Sequence, residues 1–174
     1  RANVNFYKDL CKLAERFAEV DIIIRGKNSS WTKIPYFKKV LTKVHSIPNI
    51  WIDDDYSEIS KQYKLAALSD LVIAKHTSIG DELLAAGKRV IYHDYIPNSS
   101  SGSASSNFNY NGYNVYAHSY NHLEFMVKIV VNGGELLTNK EVLDLQVIIN
   151  DIPADGRVKQ RVMKNLDIIY NKEK

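Results

Sequence analysis

The sequence predicts an α/β fold in which a parallel sheet carries helices on both faces. Short runs rich in β-branched residues, such as residues 21–25 and 70–74, alternate with amphipathic stretches of helical periodicity. This alternation is typical of βα units. The chain has 174 residues, of which 45% are hydrophobic and 25% charged, values that fit one globular domain of ordinary size.

The first two elements are an amphipathic helix and a buried strand. Residues 3–20 place apolar side chains three and four positions apart, at Phe6, Leu10, Leu13, Ala14 and Phe17. This spacing predicts a helix with one stripe facing the core. Cys11 lies within the pattern and is predicted to be a small core residue. Residues 21–25 then predict a short, fully buried strand.

The later elements continue the alternation. Further strands are predicted at residues 50–52, 70–74, 89–92 and 113–116. Further helices are predicted at residues 36–44, 57–68 and 78–86, from residue 119 or 121 to residue 131, and in the tail from Thr138 to about residue 171. Three residues predict helix ends: Ser57 as an N-cap, Ser119 or Asn121 as an N-cap, and Gly87 at a C′ position.

Two features do not fit a simple alternation of strands and helices. Residues 98–107 consist of small and polar residues, with six serines among them, and predict a flexible loop. The chain opens on a helix, although a sheet of this type normally begins with a central strand. We therefore expect the sequence to be part of a longer protein, with residues 1–174 forming one domain.

Several classes of protein are excluded by composition. No apolar run reaches the length of a membrane span, and the single cysteine cannot form an internal disulfide. The formal net charge is only +3, from 23 Lys and Arg against 20 Asp and Glu, so no basic stripe predicts nucleic-acid binding. Cysteine and histidine do not cluster at zinc-ligand spacing, and no metal site is predicted.

Ligands of open parallel sheets bind at the carboxyl ends of the strands, so the loops after the strands hold the candidate residues. Thr77 and Ser78 precede the helix at residues 78–86, where free amides and the helix dipole favour an anion. Gly80 leaves space for a phosphate, and Glu82 can accept both hydroxyls of a ribose. Ordinary N-capping by Ser78 with Asp81 is the equally weighted alternative.

The other strand ends offer weaker candidates. Arg25 and Lys27 follow the first strand and can neutralise a pyrophosphate, although solvated surface cations are the common fate of such residues. His76 is a candidate base or phosphate donor, with a structural histidine as the alternative. The run from Asp53 to Asp55 is expected to end a strand and face water rather than bind a cation.

Three consecutive stretches resemble a known family. They are NIWIDDDYSEI at residues 49–59, LAALSDLVIA at residues 65–74 and HTSIGDELLAAGKRVIY at residues 76–92. Together they resemble the C-terminal, donor-binding domain of GT-B glycosyltransferases. Within that group the sequence is most similar to the CDP-glycerol glycerophosphotransferase-like enzymes of cell-surface polymer synthesis.

The resemblance implies a Rossmann-like domain that holds a nucleotide-activated donor and needs no cofactor or bound metal. Ser78 and the amides near Ile79 and Gly80 would meet the donor's phosphates, Glu82 its ribose, and Arg25 matches a family arginine. The reaction implied is transfer to a surface glycan, by a cytoplasmic enzyme for which peripheral association with the inner face of the membrane stays open. The acceptor domain of such enzymes lies N-terminal to this region.

Two other functions stay open at this point. One is an isomerase similar to UDP-N-acetylglucosamine 2-epimerase, which has the same two-domain architecture. The other is a non-catalytic module in which the fold serves nucleotide binding or protein contacts. The sequence leaves the base, the sugar or polyol, the acceptor and the stereochemistry undetermined.

Overall fold

The computed structural model describes residues 2–58, 60–75, 77–93 and 108–150. Within these ranges the chain is a mixed α/β protein with small parallel sheets. The predicted Ser-rich loop at residues 98–107 and the predicted tail beyond residue 150 lie outside the described residues.

Helices and strands alternate along most of the chain. The strands are β1 (Ile22–Ile24), β2 (Ile50–Ile52), β3 (Val72–Ala74), β4 (Val90–His93) and β5 (Tyr116–Ala117). The α-helices are α1 (Ala2–Arg16), α2 (Lys38–Ser46), α3 (Lys61–Leu68), α4 (Ile79–Ala85), α5 (Tyr120–Val131) and α6 (Asn139–Asn150). Two 3-10 turns, Ser29–Lys33 and Pro35–Phe37, precede α2.

The strands form two parallel groups. β1 pairs with β2, and Ile23 lies opposite Trp51. β4 is central in the other group, pairing with β3 through Ile73 and Ile91 and with β5 through His93 and Ala117. Because all these pairings are parallel, the carboxyl ends of each group's strands lie at one edge, which is where the predicted site requires them.

Two hydrophobic clusters lie on opposite faces of the three-stranded group. Along β4, Ile91 belongs to the cluster formed with α1, α2 and α5, whereas Val90 and Tyr92 belong to the cluster formed with α3, α4 and α6. This alternation follows from the two-residue period of a strand. Burial on both faces explains why these strands are short, nearly continuous apolar runs.

The structure confirms three of the predictions from sequence. Ser119 is the N-cap of α5, and its hydroxyl accepts a hydrogen bond from the His122 amide at 3.1 Å. Gly87 follows α4 with a φ of 77°, a left-handed conformation that glycine adopts without strain. Cys11 is fully buried in the core, as its place in the apolar pattern predicted.

Four predicted boundaries need correction. The first helix ends at Arg16 and not at residue 20. The third helix begins at Lys61 and not at residue 57, because Ser57 binds the Asp55 carboxylate through its amide and hydroxyl instead of capping a helix. The last strand is Tyr116–Ala117 rather than residues 113–116. The second helix is extended to Ser46, and residues 35–37 before it form a 3-10 turn that starts at a proline.

Among the described residues, none of the helices combines the length and hydrophobicity that crossing a lipid bilayer requires.

Candidate functional site

The candidate site lies at the carboxyl ends of the strands. Arg25 follows β1, Asp53 follows β2, Lys75 follows β3, and His93 ends β4. Helix α4 begins at Ile79, four residues after Lys75. Polar and charged groups thus collect where parallel strands present their ends, although they form separate clusters rather than one continuous set.

At the start of α4, the Ser78 hydroxyl makes no capping hydrogen bond, and the first backbone amides make only long ones. Ser78 is exposed and occupies the N-cap position, but its side chain makes no capping hydrogen bond. The Ile79 amide meets Thr77 Oγ1 only at 3.4 Å, and the Gly80 amide meets the Thr77 carbonyl at the same distance. Capping by Ser78, the alternative reading of this turn, is therefore not the arrangement in the structure.

Gly80 has a packing role that its sequence position did not reveal. The residue is buried, and a Cβ atom there would lie 2.8 Å from Tyr92 Cε1 and 3.0 Å from Ala74 Cβ. The missing side chain therefore allows α4 to approach β3 and β4 closely, since real Cβ atoms do not tolerate such contacts. The space that we expected for a phosphate beside Gly80 is occupied by these core side chains.

Asp81 is a buried carboxylate held by two tyrosines. It is only 3% exposed, and it accepts hydrogen bonds from the hydroxyls of Tyr92 at 2.6 Å and Tyr110 at 2.8 Å. Burial, together with the neighbouring carboxylate, raises the pKa of both tyrosines. Sequence reasoning placed Asp81 in the helix cap and missed this role, because the partner Tyr110 is 29 residues away.

Glu82 lies on the opposite, exposed side of the same turn. Its carboxylate accepts a hydrogen bond from the Tyr63 hydroxyl of α3 at 2.7 Å. The bond to Glu82, more than partial burial, raises the pKa of Tyr63 and keeps its hydroxyl protonated. Glu82 is exposed, and its carboxylate keeps capacity to accept further hydrogen bonds besides the one from Tyr63.

Arg25 belongs to a different cluster, at the ends of β1 and β2. Its guanidinium donates to the Asp53 carboxylate and to the Asp55 carbonyl at 2.8 Å, and it stacks over the Tyr56 ring at 4.7 Å. Lys61 bridges Asp53 and Asp55 at 2.9 and 2.8 Å. Two cations thus face two carboxylates, so the charge of Arg25 is balanced within the protein.

This pairing corrects one expectation about the acidic run. Asp53 does not face water, because its side chain is only 13% exposed. Burial opposes ionisation, but hydrogen bonds from Lys61 and Arg25 outweigh burial and hold the pKa of Asp53 below its usual value. Hydrogen bonds from Lys61 and Ser57 likewise lower the pKa of Asp55. The ion pairs of Asp53 and Asp55 with Arg25 and Lys61 therefore stabilise the loop after β2.

A third cluster links β3, β4 and α1. His93 is 1% exposed and lies between Lys75, whose ammonium is 3.4 Å from Nδ1, and Asp9, whose carboxylate is 3.2 Å from Nε2. An ammonium group beside Nδ1 requires that nitrogen to accept, so Nε2 carries the proton and donates to Asp9. Burial lowers the pKa of His93, which the Asp9 bond only partly offsets.

We expect the His93 cluster to make the domain less stable in acid. The unfolded chain takes up a proton at His93 near pH 6.5, whereas the folded form takes it up only at lower pH. The free energy of unfolding should therefore fall below pH 6.5 by up to about 1.4 kcal/mol per pH unit. Urea titrations between pH 7.5 and 5.5 measure this slope.

The matched variants for this prediction are His93→Gln and His45→Gln. Glutamine can still accept from Lys75 and donate to Asp9 but does not titrate, so His93→Gln should flatten the pH dependence. His45 is exposed on α2, and His45→Gln should leave the dependence unchanged. An identical slope in wild type and His93→Gln would contradict the assignment of a neutral, buried histidine.

Of the other residues predicted for the site, Lys27 and Arg25 do not join the turn of α4 in the described structure. Lys27 is exposed beyond the end of β1, and the Arg25 hydrogen bonds go to the loop after β2 rather than to α4. His76, the weak catalytic candidate, lies outside the described residues. In the part of the chain that the structure describes, no group of histidine, cysteine and acidic residues has the geometry of a metal site.

A groove of about 420 Å³ lies away from all these clusters. It runs between the 3-10 turns and α2, and it includes the cationic side chains of Lys33, Lys38 and His45 together with Ile34 and Leu41. None of the predicted site residues lines it.

Comparison of the chain with protein-family models, curated proteins and solved structures found no match.

Proposed function

We propose that this domain is the donor-binding, Rossmann-like half of a GT-B-type transferase and that it holds a nucleotide-activated sugar or polyol for transfer to a glycan. The observation that supports this best is the first turn of α4, at the carboxyl end of a parallel strand. There an uncapped Ser78, two weakly engaged amides and the oriented carboxylate of Glu82 lie within one helical turn.

The roles of the residues follow from their chemistry. The Ser78 and Thr77 hydroxyls, with the Ile79 amide, would donate to phosphoryl oxygens at the positive end of α4. Glu82 would accept from the ribose hydroxyls. Gly80 contributes through packing, since it lets α4 lie close enough to β3 and β4 to aim the turn at the edge. Lys27 is an exposed cation that can approach a diphosphate, whereas Arg25 is already paired.

These groups would assist the departure of the nucleotide. In the transfer, the bond between the activated group and a nucleotide phosphate breaks, and the electron pair stays on the phosphate oxygen. The acceptor hydroxyl forms the new bond and gives its proton to a base that the acceptor domain would supply. Donors fixed around the departing phosphate lower the barrier because the charge that they stabilise grows in the transition state.

Isothermal titration with UDP and with CDP tests this proposal. We expect one of the two to bind with a Kd of roughly 0.1–1 mM, an affinity of about −4 to −5.5 kcal/mol. Ser78→Ala should weaken binding about 10-fold, since a hydrogen bond to a charged group contributes about 1.5 kcal/mol or more. Adding Glu82→Ala should weaken it further. Ser46→Ala, at the end of α2, is the matched control and should have no effect.

The same titration separates the alternatives. Absence of binding at millimolar concentration of either nucleotide would contradict the proposal and favour a module without nucleotide. Equal binding by wild type and the double variant would place the nucleotide elsewhere. An epimerase-like activity would release a free epimerised sugar without any acceptor, which product analysis detects.

A further inference from the structure

Strands β1 and β3 each leave one edge open among the described residues. β1 pairs through one edge with β2, and β3 pairs through one edge with β4. No described residue pairs with the other edge of either strand. Unpaired edges of buried parallel strands are unusual, because each backbone amide and carbonyl needs a partner.

Backbone hydrogen bonds identify the groups that face these edges. The Ile22 amide donates to the Asn49 carbonyl, and the Asp53 amide donates to the Ile24 carbonyl, both at 2.9 Å. Residues 22 and 24 therefore face β2, and the amide and carbonyl of Ile23 face the other way. By the same alternation, the Val72 amide bonds to Arg89 at 3.0 Å, so the backbone of Ile73 faces away from β4.

Helix α1 lies across both groups and indicates how the open edges are arranged. Near its start, Asp9 bonds His93 at the carboxyl end of β4. Near its end, the carbonyls of Ala14 and Phe17 accept from the Asn49 side chain at the beginning of β2. Ile22 and Ile24 of β1 and Ile73 of β3 pack in one hydrophobic cluster with residues of α1. From this shared packing beneath α1, we place the open edges of Ile23 and Ile73 at one common space, here named the interstrand gap.

The position of the interstrand gap can be compared with the strand order of a doubly wound sheet. With the two open edges placed next to each other, the strand order is β2, β1, the interstrand gap, β3, β4 and β5. In a doubly wound sheet the order is 3-2-1-4-5-6, with the first strand central and parallel to its neighbours. The interstrand gap therefore corresponds to the central strand of such a sheet, and α1 lies where the helix that follows this strand would be.

We propose that the interstrand gap binds one extended, apolar polypeptide segment from outside residues 1–174, running parallel to β1 and β3. Main-chain hydrogen bonds to Ile23 and Ile73 would hold the segment, as in β-strand addition. The exposed side chain of Ile23, 51% accessible, and that of Trp51, 48% accessible, lie on the face that α1 and α2 do not cover. An apolar segment would pack beside Ile23 and remove part of this surface from water.

Three orphaned donors at the carboxyl end of β1 support the same occupant. Arg25 Nε, Trp31 Nε1 and Tyr56 OH are buried without a hydrogen-bond partner. Arg25 directly follows β1, and Trp31 stacks on Tyr7 of α1 at 4.6 Å. A segment that leaves the interstrand gap at this edge brings backbone carbonyls, which are the acceptors that these donors lack. This inference does not depend on nucleotide binding.

Amide hydrogen exchange by NMR on the full chain tests the proposal. The probe is an acetylated nine-residue peptide amide, with five central residues alternating valine and isoleucine and two lysines at each end. At a peptide concentration 100 times its Kd, exchange of the Ile23 and Ile73 amides should slow about 100-fold. The Ile22 and Val72 amides, already bonded within the sheets, report any general stabilisation. A peptide with proline at its centre is the matched control and should give no protection.

Each other outcome would overturn the proposal. Protection of Ile23 and Ile73 in the chain alone would mean that its own residues complete the sheet. Protection that grows with protein concentration, without peptide, would mean that a second copy does so. Protection of only one amide, or of neither, would exclude a strand between the two edges. Ile23→Pro removes a donor that faces the gap and should abolish peptide binding. If this variant does not fold, the comparison of the valine-isoleucine peptide with its proline control on the wild-type chain still tests the proposal.

Discussion

Replacing Asp81 with alanine is expected to lower the free energy of unfolding by about 2–6 kcal/mol, since each of two buried hydroxyls left without an acceptor costs about 1–3 kcal/mol. The carboxylate accepts from the Tyr92 and Tyr110 hydroxyls, and both tyrosines are fully buried. The variant would leave two hydroxyls without this acceptor in a closed core. Urea unfolding followed by circular dichroism measures the loss.

Controls separate this network from a general effect of charge removal. Asp54→Ala removes an exposed carboxylate and should change stability by less than about 0.5 kcal/mol. Tyr110→Phe deletes one hydroxyl and leaves Asp81 bonded to Tyr92, so it should cost about 1–2 kcal/mol. An Asp81→Ala variant as stable as Asp54→Ala would show that the tyrosines do not need the carboxylate, and the packing of α4 on β4 would then need another cause.

The second large effect is expected at Asp53. Asp53→Ala removes the carboxylate that pairs with Arg25 and Lys61, and Arg25 would be left mostly buried with fewer acceptors. A loss of about 3 kcal/mol is expected because an uncompensated, largely buried cation is costly. The loop after β2 should also lose order, and backbone relaxation of residues 54–57 measures this.

The pH dependence gives an independent check on Asp53. Its pKa in the folded state is lowered by Lys61 and Arg25, so the stabilisation is fully present above the unfolded value near 3.8 and is lost as the pH falls below it. Wild type should therefore lose stability more steeply between pH 5 and pH 3 than Asp53→Ala does. Parallel curves for the two proteins would show that the pairing contributes nothing to folding.

Much of the architecture could be predicted because it rests on local patterns. The alternation of β-branched runs with amphipathic stretches predicted β1 to β4 and their parallel pairing. The apolar stripe of α1 predicted its buried face, and Ser119 and Gly87 predicted two helix ends. Each of these features depends on residues within a few positions of one another.

Other features depend on contacts that no local pattern contains. Ser57 is a good N-cap by type, but the Asp55 carboxylate two residues earlier competes for it. The sequence predicts that Gly80 makes room for a ligand. Its actual role, close packing against Tyr92, could not be predicted because the two residues belong to different elements. The partners of Asp81 and His93 are distant in sequence, and Asp53 gained its partner Arg25 only through the pairing of β1 with β2.

In the candidate site, too, some features could be predicted from the sequence and others depend on contacts between distant residues. Position at the carboxyl end of β3 could be predicted for Thr77 and Ser78 from the order of elements alone. The orientation of Glu82 could not, since Tyr63 of α3 fixes it from another helix. The charge balance around Arg25 also depends on contacts in three dimensions, and our proposal therefore places the donor's phosphates at the turn of α4 rather than at the end of β1.

The most direct test of this assignment is a two-dimensional NMR titration of the 15N-labelled chain with UDP and CDP. We expect the amide signals of residues 77–82 to move in a saturable way, with a common Kd, while those of the groove between Thr32 and Lys38 stay in place. Saturable shifts confined to the groove, or the absence of shifts at millimolar nucleotide, would contradict the proposal that α4 receives the phosphates of a donor.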